Sequence, residues 1–474
     1  MKTVADAQGV FPEPSPEGHW SKNFAALSIH RREDWAVTAK GFNSFLWDFE
    51  NSKDENVFGM FSSHGALLVA NSEKSLEVHD VANGWDWAKV PGATTIAIGT
   101  PDVDELKLKK ARFYNPRPLA GGVTFKGTNE LENGLFAMDF EQPNYDFKDW
   151  RKNISFIFKK SVFFFENLLV CLGSNIWAVQ TNGKSVQTTL FQDRLLDGVT
   201  SSFITVDGVK KAHGNKFDAL TPGSGKSYTS LTDAKGNFYY IPEPSKSILK
   251  VHVKDQPSKT DDGEKDTSAR YATAWIEHGK FPSSYEYAVL IPTDGYHENL
   301  NNITIDQRTA GKEVYKVLQV DEVAHIVQFL KSPKSWAERS NPVTGYAMFE
   351  ASASLPPDGP IEAVSGPNCL IMAEKTADSI YISISSPDLN LPTKNGPLRG
   401  SDEVGQEELY HTSSAERQLE VTLRREVQQS IVYVQTHGNP KCYKANVWVL
   451  SDGKTVRFLN LKNGFSVEVK LMLK

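Results

Sequence analysis

Residues 84–95 read GWDWAKVPGATT. The stretch packs two tryptophans, two glycines, a proline and a threonine pair into a run with neither helical nor strand periodicity. Glycine permits backbone conformations closed to other residues, and proline fixes φ. Trp85 and Trp87 are each large enough to anchor such a turn in a core. The reading is a rigid crossover between two layers of a large β domain. The alternative is a pair of surface aromatics, which would make Trp85 and Trp87 candidates for binding a substrate.

On both sides of this turn the chain reads as strands. Residues 25–47 (AALSIHRREDWAVTAKGFNSFLW) and 59–71 (GMFSSHGALLVAN) alternate apolar with polar positions, and the turn cluster NSKDEN separates them. Further β blocks follow: VTFKG (123–127), NGLFAMDF (133–140), 152–176 and SVQTTLFQ (185–192). Within them SVFFFENLLVCL (161–172) predicts two buried strands joined at Glu166 and Asn167. The pattern continues to about residue 330, with the polar stretch 255–268 (DQPSKTDDGEKDTS) expected to be a mobile surface loop. Residues 1–20 form an extended lead-in and 303–316 a short helical exception. Residues 352–360 (SASLPPDGP) read as a linker to a smaller β-sandwich at 360–474, after a larger unit at 21–351.

Composition agrees with strands and turns: 11% aromatics, 33 glycines and 24 prolines. The net charge of −6 creates no field for nucleic acid or an anionic membrane, so a polyanionic partner needs a local basic cleft. No run approaches the ~20 apolar residues of a membrane span. Cys171, Cys369 and Cys442 form no metal-spaced set or disulfide framework. No secretory signal is visible at the start of the chain. The acceptor patterns at 153–155 and 302–304 are common by chance.

Few residues announce chemistry. Arg31 and Arg32 alternate sides on an extended chain, so one of them can offer a guanidinium fork to a carboxylate or sulfate. Glu132, in TNELENG (128–134), precedes a strand and can orient an arginine or a phenol. His64 opens an apolar strand, where a structural role competes with a catalytic one. The run GSGKS (223–227) lacks the earlier glycine of a phosphate loop, since Leu220 stands in its place.

Eight segments in order carry a resemblance: 30–43 (HRREDWAVTAKGFN), 61–65, 84–95, 130–140 (ELENGLFAMDF), 159–176, 186–192, 274–290 and 385–391 (SSPDLNL). Together they resemble the polysaccharide lyase 8 enzymes over residues 20–474, the chondroitin sulfate ABC type more than the hyaluronate and chondroitin AC types. The resemblance implies an all-β fold: a large antiparallel β super-sandwich, galactose mutarotase-like, followed by a smaller C-terminal β-sandwich. It also implies β-elimination on an acidic polysaccharide (chondroitin or dermatan sulfate, or hyaluronan), no required cofactor, room for a structural divalent cation, and an extracellular setting. By motif the family's arginine corresponds to Arg31, with Arg32 the near alternative, and its glutamate to Glu132. His30, Trp85 and Trp87 are the candidate substrate contacts. In the family a tyrosine and a histidine sit in an α/α toroid upstream of this motif, and they have no counterpart in the residues before His30. The chain is therefore expected to be a fragment holding the anion-handling half of a site. The competing expectations are a non-catalytic carbohydrate-binding scaffold and a short lyase with Tyr114 or His64 as substitute base.

Overall fold

The computed structural model describes residues 15–52, 55–71, 74–99, 102–108, 112–145, 147–196, 202–211, 214–243, 247–292, 314–331, 338–391, 414–437 and 446–474. Among them the strands form five antiparallel sheets, of four, five, nine, seven and four strands. The nine-stranded sheet is central. Its Phe136, Met138 and Phe164 pack with Trp35, Val37, Val251 and Ala274 of the N-terminal four-stranded and the five-stranded sheets. Its Leu135, Phe163 and Phe165 turn the other way, onto Phe329, Val343 and Met372 of the seven-stranded sheet. A further core joins the seven-stranded sheet to the last four-stranded one through Ile371, Ile382, Val421 and Phe458.

A sheet covered on both faces needs apolar residues at every position rather than at every second one. That is why the run from 161 to 172 reads as it does. Strands Ser155–Phe165 and Leu168–Val179 pair as a hairpin through Glu166, whose φ is 52°, as the sequence predicts. The stretch 84–95 crosses the outer face of the five-stranded sheet and is sewn to it by side chains. Gln256 donates to the carbonyl of Gly84, Gln187 to that of Ala88, and Gln192 to those of Asp86 and Lys89. At Gly84, with φ 70°, a Cβ would lie 2.4 Å from the Ala269 nitrogen, so only glycine lets the two backbones meet. Residues Thr94–Ile96 then join the sheet as its edge strand.

Three expectations change. The polar stretch 255–268 is no loose loop: strands Ser247–Lys259 and Asp266–His278 pair in unbroken register from Ser247–His278 to Lys259–Asp266. Its lysines and aspartates lie on the exposed tip of that ribbon, where polarity reflects solvent rather than absence of structure. Strands Tyr315–Val320, Ala324–Lys331 and Glu338–Met348, read as the end of the larger unit, hydrogen-bond in the seven-stranded sheet with strands from the smaller one. The lead-in ends in a strand, Gly18–Lys22, paired with Leu27–Arg32. Most of the helical expectation at 303–316, the acceptor at 302–304 and Cys442 lie outside the described residues. Cys171 and Cys369 are free and buried.

Trp87 is 8% exposed, donates its indole N–H to the Lys259 carbonyl at 3.1 Å and packs on Phe58. Trp87→Ala is expected to cost about 3–5 kcal/mol as a core deletion, measured by chemical denaturation. An unchanged midpoint would mean that the crossover does not hold the sheets together. Acid should also unfold the chain. Burial lowers His19, His64, His278 and His325 to about 3 and His252 to about 4, and holds His30 well below its usual value. All six take up protons on unfolding at pH 5. Asp48, raised by burial to about 7, and Asp193, also raised by burial, each release one. The histidine contribution is intact above pH 6.5 and lost as pH falls toward 3–4. Net proton uptake on unfolding near pH 5 therefore lowers stability as the pH falls. A melting temperature flat from pH 7 to pH 5 would contradict this.

Candidate functional site

Strand Leu27–Arg32 alternates half-buried with buried positions, which sends Ser28, His30 and Arg32 inward and Leu27, Ile29 and Arg31 outward. The two arginines therefore part company. Arg31 donates to the carbonyls of Pro16 (2.7 Å) and Glu33 (3.2 Å) at the mouth of a tight turn in which Glu33 has a φ of 46°. Arg32 is 4% exposed and donates to the carbonyl of Glu132, on the connection before strand Asn133–Glu141. Burial lowers its pKa to about 10, opposed by the charges of Glu132, Glu17 and Glu166, so it stays a cation at neutral pH.

The sequence ranks Arg31 as the residue that meets Glu132; in the structure the direct contact belongs to Arg32, because strand alternation points Arg31 the other way. The Glu132 carboxylate nevertheless turns toward Arg31's side. Its Oε2 lies 2.8 Å from where a Cβ on Gly18 would stand, and Gly18 faces Arg31 across the strand pair. Arg32 is thus the arginine that holds Glu132, while Arg31 is bonded to the carbonyls of Pro16 and Glu33.

The connection that carries Glu132 is held from a distant part of the chain. Glu468 accepts the N–H groups of Lys126 (2.8 Å) and Gly127 (3.0 Å), and Glu374 accepts the N–H of Thr128 (2.7 Å) and its hydroxyl. Both carboxylates are fully buried in strands of the seven-stranded sheet. Burial opposes the charge of Glu468, but His437 at 3.0 Å and the two N–H groups hold its pKa below the usual range. Arg339 ties the cluster together, bonded to Glu166 at 3.0 Å and to Asn129, with Glu374 at 3.8 Å. Sequence reasoning missed these three residues. The available signal was only a glutamate within an otherwise largely apolar strand, as in IMAEK and SVEVK.

The remaining candidates lie elsewhere or are out of reach. His30 is fully buried, with Nε2 2.7 Å from the Glu166 carbonyl and its ring among His19, Trp35 and Phe164, so it is a core histidine and no substrate contact. Trp85 (2% exposed) and Trp87 are core anchors too, because the crossover folds them under itself. His64 is fully buried among Phe42, Phe61 and Phe140 and contacts the Tyr145 hydroxyl at 3.1 Å, so desolvation keeps it neutral and substrate cannot reach it as a base. Tyr114 is half-buried beside Trp47. The run 223–227 turns between strands Lys216–Leu220 and Tyr228–Thr232, with no helix to complete a phosphate site. Among the described residues no group of three or more His, Cys, Asp or Glu is placed to hold a metal ion.

The different roles of the two arginines are separable by stability. Arg32→Ala is expected to cost about 2–3 kcal/mol by leaving a buried carbonyl without its donor, while Arg31→Ala stays within about 0.5 kcal/mol. Equal losses in urea denaturation would show that strand alternation does not divide them.

Comparison with known proteins agrees with this architecture. The family model described as polysaccharide lyase family 8, super-sandwich domain, matches residues 20–301. Chondroitin sulfate ABC endolyase of Proteus vulgaris is 30% identical over 396 residues, 82% of this chain and 35% of that protein. Chondroitin sulfate ABC exolyase of Bacteroides thetaiotaomicron is 29% identical over 81% of this chain and 34% of its own length. The chain thus spans about a third of these relatives. Among solved structures, Paenibacillus xanthan lyase superposes with a TM-score of 0.69 at 17% identity, over 100% of this chain and 39% of that one. Streptomyces coelicolor A3 chondroitin AC lyase in complex with chondroitin sulphate gives 0.62 at 16%, over 100% and 52%. These two show the fold. With well over half of its length matched by the family's super-sandwich domain, the chain belongs to polysaccharide lyase family 8.

Proposed function

We propose that this chain handles a uronic-acid-containing glycosaminoglycan of the chondroitin sulfate type and serves its cleavage by β-elimination. What supports the reading is the buried Arg32–Glu132 contact, with Arg31 beside it on the outer face of the same strand, in a chain of polysaccharide lyase family 8. In such a reaction a base takes the proton from C5 of the uronate, the bond from C4 to the glycosidic oxygen breaks, a C4–C5 double bond forms, and the leaving oxygen gains a proton. The C5 proton is poorly acidic while the adjacent carboxylate carries full charge. A fixed guanidinium beside that carboxylate stabilises the enolate-like charge as it develops. Arg31, at the mouth of the turn, is the group placed to meet the substrate. Arg32 and Glu132 are positioning residues behind it.

The proton acceptor comes from outside these 474 residues in this reading. The imidazoles nearest Arg32, His19 and His30, are buried and lowered by burial and by that same guanidinium. Their burial equally favours the second reading, a β scaffold that binds acidic polysaccharide without cleaving it. A substrate of this class implies work outside the cell.

Titration of the chain with chondroitin sulfate by calorimetry, beside the ultraviolet absorbance of unsaturated uronate, tests the proposal. Binding that weakens about tenfold in Arg31→Ala, or about 1.4 kcal/mol, is expected, with no absorbance change from the chain alone. Unaltered affinity in Arg31→Ala removes the arginine from the site. Turnover by the chain alone places the base within it and makes Tyr114→Phe the next variant. Turnover that returns only with the rest of a full-length lyase supports the first reading over the scaffold.

A further inference from the structure

The five-stranded sheet carries a second concavity, on its outward face and away from the Arg31–Arg32 hairpin, which belongs to the N-terminal four-stranded sheet. Its volume is about 310 Å³, at the small end of ligand pockets and of the size of a sugar unit rather than a chain. One wall is the crossover 84–95, through Asp86 and Lys89; the other is the turn at Lys184. The floor is Trp275, with Lys89 4.9 Å from its ring centre and His252 edge-on at 4.6 Å.

The charge of this hollow is unbalanced. Lys89 is neutralised by Asp86 at 2.9 Å and Lys184 by Glu105 at 3.0 Å. Lys250, one step along from His252 on the same face of its strand, pairs with Glu277 at 3.0 Å. Lys254 lines the hollow half-buried and, among the described residues, has no carboxylate within ion-pair distance, though Asp86 lines the same hollow. The pKa of Lys254 is lowered by burial and by Lys89 and Lys216, with Asp86 opposing. His252 is driven to about 4 by burial and by Lys254, Lys89, Lys216 and Lys250. Both groups are depressed first by burial and then by the neighbouring ammonium groups. Partly buried cationic charge without a counterion is costly unless something anionic completes it.

We propose that this hollow is an accessory subsite for an anionic sugar unit, whose carboxylate or sulfate meets Lys254 and whose ring lies against half-buried His252, above the buried Trp275. The proposal rests on the reading that the chain takes an acidic polysaccharide, but it concerns a separate place on the fold. The subsite would hold a stretch of the polymer at a distance from the arginine hairpin. Specificity comes from charge: an uncharged oligosaccharide finds the same walls but no partner for the ammonium.

The probe is a chondroitin sulfate tetrasaccharide, short enough to occupy one site at a time, titrated by calorimetry into the intact chain. An unsulfated hyaluronan tetrasaccharide separates carboxylate from sulfate recognition, and a neutral dextran oligosaccharide is the control. Two binding events are expected for the unaltered chain. Lys254→Glu should abolish one and leave the other, Arg31→Ala the reverse, and dextran should bind at neither. Lys254 is half-exposed and its variant should melt within a few degrees of the parent; Lys254→Met keeps the stem and removes the charge if the reversal proves disruptive. A single event lost with Arg31→Ala and indifferent to both Lys254 variants overturns the subsite while the proposed function stands. A single event lost only with Lys254→Glu does the opposite: it supports the subsite and removes the hairpin as the binding place. Equal binding of dextran overturns the charge-based recognition.

Discussion

The nine-stranded sheet ends in a strand that is not allowed to behave as an edge. Strand Ala120–Phe125 is buried at every position, yet only one of its sides pairs with a neighbouring strand. Its outward backbone groups, at every second residue, would each forfeit a hydrogen bond inside the protein. Side chains from three other parts of the chain meet them in turn. Asn43 reaches the carbonyl of Ala120, Asn23 takes both the N–H and the carbonyl of Gly122, and Ser466 and Ser383 take those of Thr124. The series ends with Glu468 on Lys126 and Gly127. No continuing strand would do as well here, because the row of small polar groups lets sheets from opposite ends of the chain converge on one line. Gly121 and Gly122 complete the fit, since a Cβ at either would overlap Asn23 or Ser28.

That line of hydrogen bonds runs directly into the connection that carries Glu132. The position of the glutamate is therefore set from two directions: Arg32 holds its carbonyl from the N-terminal sheet, and Glu468 and Glu374 hold the preceding residues from the seven-stranded sheet. A surface loop between two strands is ordinarily among the softer parts of a fold. Here it is fixed by buried carboxylates whose charge is offset by N–H groups, a hydroxyl, His437 and Arg339. Fixed geometry is what a group needs if it is to act by position rather than by reacting.

Much of the architecture was legible in the sequence, and the illegible parts share a cause. The uninterrupted apolar run at 161–172 announced two buried strands, and the glycines and tryptophans of 84–95 announced a rigid crossover. The polar stretch at 255–268 misled because composition reports solvent contact, whereas its two strands are held by each other's backbones. The same limit hid the clamp on the Glu132 connection. Glu374 and Glu468 lie more than 240 residues away from the N–H groups they accept, and no local pattern encodes such a meeting. His30 shows the complementary failure, and for Trp85, Trp87 and His64, which the sequence left between a core and a functional role, burial decides for the core. Aromatic and imidazole side chains look functional in a string of letters, and burial alone decides otherwise.

Adjacent arginines illustrate how little freedom a strand leaves. With a side-chain period of two, Arg31 and Arg32 cannot both face one groove, so the pair divides into a structural cation and an available one. The buried member is stabilised where it stands by Glu132, Glu17 and Glu166, and its own charge depresses His19 and His30. Neutral imidazoles and a charged guanidinium are therefore parts of one electrostatic arrangement. Protonating either histidine would set a second positive charge against Arg32 in a medium that screens it poorly. A proton-transfer role for these two imidazoles would conflict with that arrangement. The interior around Arg32 is built to keep the arginine as its lasting positive charge.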